Sequence, residues 1–137
     1  MIASKSAGLG TRDNIDEYTQ TTCDGIKQFS KVKKAKVIIT LNPAEPPILM
    51  HNTIYAKIDK PNLLKLRLSI KKMENKLQEY IPTYQHKLGP IFENGRLTVM
   101  NEVEGSGDYL PKYAGNLDII NCAAIKVAEE YARLWRH

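Results

Sequence analysis

The residues best suited to hold an anion lie in one turn, Ser4-Lys5-Ser6-Ala7-Gly8-Leu9-Gly10-Thr11-Arg12-Asp13-Asn14, which runs directly into a helical pattern. Backbone amides in the first turn of a helix have no intrahelical partner, so a glycine-bearing turn there can cradle a phosphate. On physical grounds alone a plain turn and helix cap is the favoured reading of the same residues over a phosphate site. They are not a dinucleotide fingerprint, because the third glycine and the preceding strand are missing. A second loop, Tyr113-Ala114-Gly115-Asn116, is similar: Asn116 can cap the following helix, or its amide can reach a ligand.

No complete catalytic set accompanies these turns. His51, His86 and His137 are scattered, with no H-x-x-x-H or H-E spacing, so no metal site is expected. There is no G-x-S-x-G elbow. Cys23 and Cys122 are far apart, lie outside any C-x-x-C spacing and read as packed thiols of a reducing, cytoplasmic protein. Glu102 and Glu104 stand two apart on a strand and so share a face, which makes either an acid site or a solvated strand surface.

Elements must position these groups. Asn14 to Phe29 has the spacing of an amphipathic helix through Ile15, Tyr18, Thr22, Ile26 and Phe29, with Asn14 and Glu17 in the form of a capping box, or Asp13 as the cap. Lys36 to Leu41 is β-branched and reads as a buried strand, and Thr53 to Ile58 as another. Asp59-Lys60-Pro61 opens a second helix whose stripe is Leu63, Leu66, Ile70, Met73, Leu77 and Tyr80. Glu93-Asn94-Gly95-Arg96 joins a hairpin between Pro90-Ile91-Phe92 and a strand from Leu97 that extends to Val103. Asp118 to Trp135 forms a third helix that buries Ile119, Ala123, Val127, Tyr131 and Leu134. The fold class is therefore α+β, with a mixed, largely antiparallel sheet packed with about three helices.

The chain has 137 residues, enough for one domain, with a net charge of +5. Its basic residues gather at Lys31-Val32-Lys33-Lys34-Ala35-Lys36 and around Lys65, Arg67, Lys71 and Lys72, which read as a linker and a solvated helix face. No recognition motif makes these a nucleic-acid surface. No apolar run has the length of a membrane span, and Met1-Ile2-Ala3 leads into polar sequence rather than a secretory leader.

Four stretches in order, Ser4 to Glu17, Leu41-Asn42-Pro43-Ala44-Glu45-Pro46-Pro47, Glu102-Val103-Glu104-Gly105 and Tyr109 to Ile119, resemble the C-terminal half of acylating acetaldehyde dehydrogenases. That resemblance implies conversion of acetaldehyde, NAD and coenzyme A to acetyl-CoA and NADH, a step of aromatic hydrocarbon catabolism. It implies a C-terminal dimerisation and substrate domain, here residues 1–137, similar to that of glyceraldehyde-3-phosphate dehydrogenase. The partners implied are an N-terminal Rossmann half that carries the nucleophilic cysteine, a second copy in a homodimer, and a 4-hydroxy-2-oxovalerate aldolase. The family's dinucleotide contacts fall on Ser6, Ala7, Gly8, Leu9, Gly10, Thr11, Arg12, Asp13 and Asn14, with one more on Asn116.

The departures from the family pattern are specific. Leu9 stands where the pattern has proline, and Asn52 where some members have an aspartate that helps activate the cysteine. An amide hydrogen-bonds but takes no proton. The tight Asn94-Gly95 hairpin replaces a longer excursion. Neither Cys23 nor Cys122 matches the nucleophile, so the expectation is that the Rossmann half is absent and the isolated chain turns over nothing. A half enzyme should also expose apolar surface and self-associate. The rival expectation is a non-catalytic remnant that dimerises or binds the aldolase.

Overall fold

The computed structural model describes residues 1–135; His137 lies outside the described residues. Its centre is a three-stranded antiparallel sheet in the order β3-β5-β4, with β3 Met50–Lys57, β4 Tyr84–Glu93 and β5 Arg96–Val103. The hairpin between β4 and β5 turns at Asn94 (φ 51°) and Gly95 (φ 75°), the paired positive dihedrals that an Asn-Gly turn requires. β3 joins the other side of β5 in unbroken register from Met50 opposite Val103 to Lys57 opposite Arg96. β4 departs from register twice: Lys87 is extra between the pairs His86–Asn101 and Leu88–Met100, and one more residue is extra between Leu88–Met100 and Ile91–Thr98. β3 begins three residues before the expected Thr53 and β4 six before Pro90, because pairing with β5 holds polar as well as apolar residues in the ladder.

Alternation along β5 buries Leu97, Val99, Asn101 and Val103 on one face and leaves Thr98, Met100 and Glu102 half-buried on the other. Helix α3 (Leu63–Gln78) packs on β4. It starts later than Pro61 suggests: Asn62 is its cap, its side chain accepting from Lys65 N at 2.9 Å. The expected stripe holds at Leu63, Leu66, Ile70 and Leu77, but Met73 is exposed and Glu74 takes the buried place. The carboxylate is tolerated there because it accepts from His86 N and from Lys71 Nζ, both at 2.8 Å.

The KVIITL stretch is not a strand. Only Leu41–Asn42 (β2) pairs, parallel to β1 (Ile2–Ala3), and Lys36 to Thr40 run irregularly beside it. β-branched composition marks a segment fit for a sheet, but without a neighbouring strand it forms none. The glycine-bearing turn is itself helical: Gly8 caps the short helix α1 (Leu9–Asp13), followed by α2 (Ile15–Ser30). Neither capping arrangement predicted for α2 forms; Asn14 Nδ2 instead donates back to Gly10 O at 2.9 Å. The last helix, α4 (Gly115–Leu134), begins three residues before Asp118.

α2 and α4 depart most from expectation. α2 has no buried residue, and α4 only Gly115. Of the α4 residues expected inside, Ile119 and Ala123 are half-buried, whereas Val127, Tyr131 and Leu134 are 55%, 60% and 70% exposed. Their helical spacing is real, but among the described residues no strand or other α-helix packs closely along that stripe. Among the described residues, no helix is long and apolar enough to cross a membrane.

Candidate functional site

The four separated stretches converge on one end of the molecule. The first meets the second through an ion pair between Lys5 and Glu45, next to the β1–β2 pairing that precedes Ser4. The third meets the fourth where Gly105 N donates to Lys112 O at 2.6 Å and Ser106 N donates to Asp118 Oδ2 at 2.7 Å. The first meets the fourth across 110 residues, Asn116 Nδ2 donating to Ser6 O at 3.3 Å.

That last contact depends on close backbone approach. A Cβ on Gly115 would collide with the Val103 carbonyl, so glycine lets α4 start hard against the end of β5. Asn116 follows directly and points its amide at the Ser6 turn. It does not cap α4, whose cap position is Ala114 with no side-chain bond. Because Nδ2 faces a carbonyl, Oδ1 points the other way. It is shut off from solvent and has no hydrogen-bond partner among the described residues. A buried acceptor left alone costs about 1–3 kcal/mol, so an unpaired one in a native fold calls for a donor from elsewhere.

The turn opposite is firmly built. Ser4–Ser6 forms a single 3-10 turn, and Ser6 Oγ donates to Ala3 O at 2.8 Å. Arg12 folds back over it, with Nη2 donating to Ser4 O at 3.0 Å and to Ser4 Oγ at 2.9 Å, and Nε to Ala7 O at 3.2 Å. Arg12 therefore braces the turn from within the chain. Ser6 and Ala7 are buried, while Gly8, Leu9, Gly10, Asp13 and Asn14 are exposed and Thr11 half-buried. Space around Gly8 and Gly10 is open, and no side chain caps α1. Among the described residues nothing lies close enough to require glycine at either position.

The acidic pair does not form a site. Glu102 lies on β5, but Glu104 is past its end, and each goes to a different cation. Glu104 pairs with Lys112 at 2.7 Å. Glu102 ties all three strands together: Oε1 meets Lys87 of β4 at 2.7 Å and Oε2 meets His51 Nε2 of β3 at 2.8 Å. The hydrogen bond from Lys87 first, and then its charge and that of His51, hold the Glu102 carboxyl below its ordinary range. The bulge at Lys87 aims that lysine, a feature that sequence reading missed. Asn52, beside His51, is exposed on β3 opposite Asn101. Cys23 and Cys122 are half-buried free thiols. Cys122 stands six residues beyond Asn116 on α4, about 9 Å along the axis. Among the described residues, no three His, Cys, Asp or Glu side chains gather into a metal-binding group.

Comparison with known proteins agrees with this gathering of motifs. Residues 1–111 match the family model described as prokaryotic acetaldehyde dehydrogenase, dimerisation. The chain is 56% identical to an acetaldehyde dehydrogenase of Spirochaeta aurantia, over 96% of this chain and 44% of that protein. It is 56% identical to that of Geobacillus stearothermophilus, over 96% of this chain and 46% of the relative. With the Pectobacterium atrosepticum enzyme the identity is 51%, over 97% and 45%. The chain thus spans a little under half the length of the curated relatives it matches. The chain belongs to the prokaryotic acetaldehyde dehydrogenase dimerisation family.

Proposed function

We propose that this chain supplies the dimerisation and substrate-side half of an NAD-dependent acylating acetaldehyde dehydrogenase, converting acetaldehyde and coenzyme A to acetyl-CoA. The observation that carries the proposal is the Ser6–Asn116 junction with its orphaned Asn116 Oδ1. A carboxamide offers the N–H that this acceptor lacks, so the residues present fit a nicotinamide group. Bound there, NAD would take up the hydride released when the aldehyde carbon is oxidised.

The remaining roles belong to this chain's own residues. Arg12 and Ser4 hold the turn rigid, so that Asn116 keeps a fixed direction. Ser6 to Asn14 form the chain's side of the dinucleotide site. The open space at Gly8 and Gly10 favours close approach by a group from outside the chain. Coenzyme A acts as co-substrate and accepts the acyl group.

Covalent thiol catalysis needs an activated sulfur beside the bound cofactor. Cys122 is on the same helix as Asn116 but about 9 Å further along, and Cys23 lies on exposed α2. We assign neither as the nucleophile. That group comes with a Rossmann half, and two copies pair through the dimerisation domain. Asn52 stands where, by the family resemblance, some members carry a proton-accepting aspartate, so here the thiol is activated without it.

The test is an assay of the purified chain with acetaldehyde, NAD and coenzyme A, alone and with the amino-terminal half of the Geobacillus stearothermophilus relative. NADH should form only in the mixture. Turnover by the chain alone would refute the reading.

A further inference from the structure

We infer that His51 is a proton-dependent clasp on the sheet: with a hydrogen on both ring nitrogens it ties β3 to β5, and losing either hydrogen loosens that tie.

The bond partners fix the charge of the ring. Nδ1 lies 2.9 Å from the Leu49 carbonyl oxygen, and Nε2 lies 2.8 Å from Glu102 Oε2. A carbonyl oxygen only accepts, so Nδ1 donates. A carboxylate also only accepts, so Nε2 donates as well. The second contact could otherwise hold its hydrogen on Glu102. Lys87 opposes this from the other oxygen at 2.7 Å and, by its hydrogen bond first, holds that carboxyl below its ordinary range. Donation from both nitrogens makes the ring an imidazolium.

The pair is sheltered, with the Glu102 side chain 15% exposed and that of His51 28%, so water screens it only in part. The charged groups that face it are few. Lys87 of β4 bonds Glu102 rather than the ring. The Met1 amino group donates to the His51 carbonyl at 2.7 Å, and burial weakens its hold on its proton. His86 pairs with Asn101 and so lies on the other face of the sheet. β1 hangs on the same residue, since His51 N donates to Met1 O at 2.9 Å. β1 leads directly into the Ser4–Ser6 turn.

A neutral imidazole has one N–H. Either the carboxylate or the carbonyl then faces a lone pair, and one of the two ties is lost. The bonded form is the protonated one. Its contribution to stability is therefore present at low pH and is lost as pH rises through the range in which imidazoles discharge, about pH 5 to 8.

The full chain is titrated across that range in long-range proton–nitrogen correlation spectra, which read the hydrogens on each ring nitrogen of His51. Urea unfolding is followed in parallel for wild type, His51→Arg and Glu102→Gln. Arginine stays charged and can donate to both acceptors, whereas Glu102→Gln removes the carboxylate. Titration of His86, His137 and the Met1 amino group is common to all three chains and cancels in the comparison. The ring should carry two hydrogens at the acid end and one at the other. Over the same interval the folding constant of wild type should fall at least about threefold more than that of His51→Arg, and Glu102→Gln should be as flat as His51→Arg. If circular dichroism shows His51→Arg unfolded, Glu102→Gln serves as the reference. One ring hydrogen throughout, two throughout, or parallel stability profiles for wild type and reference would each overturn the clasp.

Discussion

Helices α3 and α4 carry similar amphipathic sequences and end in opposite environments. The α3 stripe lies against β4, and even the charged Glu74 within it is buried and bonded. On the α4 stripe Val127, Tyr131 and Leu134 are all more than half exposed. Helical spacing of apolar residues states that a helix has a face to cover; it does not state which polypeptide covers it. The sheet and α3 cover each other's apolar faces, whereas α2 and α4 leave most of theirs exposed.

That contrast can be broken by stability measurements. The largest effect is expected at Leu97, buried on the covered face: Leu97→Ala should cost about 2–5 kcal/mol in denaturant unfolding. Leu134→Ala removes the same side chain from α4 and should change stability by no more than about 0.5 kcal/mol. Equal losses would mean that α4 is packed in solution after all.

An intermediate effect is expected at Glu74→Gln, about 1–3 kcal/mol, because the carboxylate accepts from a strand amide and a lysine at a buried position. The His86 backbone donor first, then Lys71, keep the Glu74 carboxyl below its ordinary value of 4.5. Lys87 does the same for Glu102. A carboxyl depressed in the folded state contributes stability that is complete above 4.5 and is lost as pH falls through the folded value. Melting temperature should therefore drop on acidification below that point, and less steeply in Glu74→Gln.

A small effect on folding is also expected at the proposed cofactor contact. Asn116→Ala loses one bond to Ser6 O but also removes an unpaired buried acceptor, so thermal unfolding should shift by less than about 1 kcal/mol. Its effect on the reconstituted enzyme should be much larger, at least about tenfold in kcat/KM for NAD. A variant whose unfolding shifts by more than that while its kcat/KM for NAD is unchanged would make Asn116 a structural residue.

The parts of the fold legible in sequence were those set by local chemistry. Asn94-Gly95 specified its hairpin, and the Leu63–Leu77 spacing specified α3. Lys36–Thr40 misled because β-branched residues signal a strand only where another strand lies alongside. The candidate site was visible as four motifs but not as one place. Its assembly depends on the Gly115–Val103 approach and the Ser6–Asn116 bond, which join residues remote in the chain. Glu74 left a usable trace, a charge four residues after Ile70 and three before Leu77 on an apolar stripe. The cross-sheet tie of Glu102 left none, since it depends on a bulge that re-aims Lys87.

The central claim is that the attacking sulfur is not in this chain, and intact-protein mass spectrometry tests it most directly. The chain is incubated with acetaldehyde and NAD, without coenzyme A, alone and with the amino-terminal half of the Geobacillus stearothermophilus relative. The account predicts one acetyl group on that half and none on Cys23 or Cys122. An acetyl group on either sulfur of this chain, formed with no second polypeptide present, would contradict it.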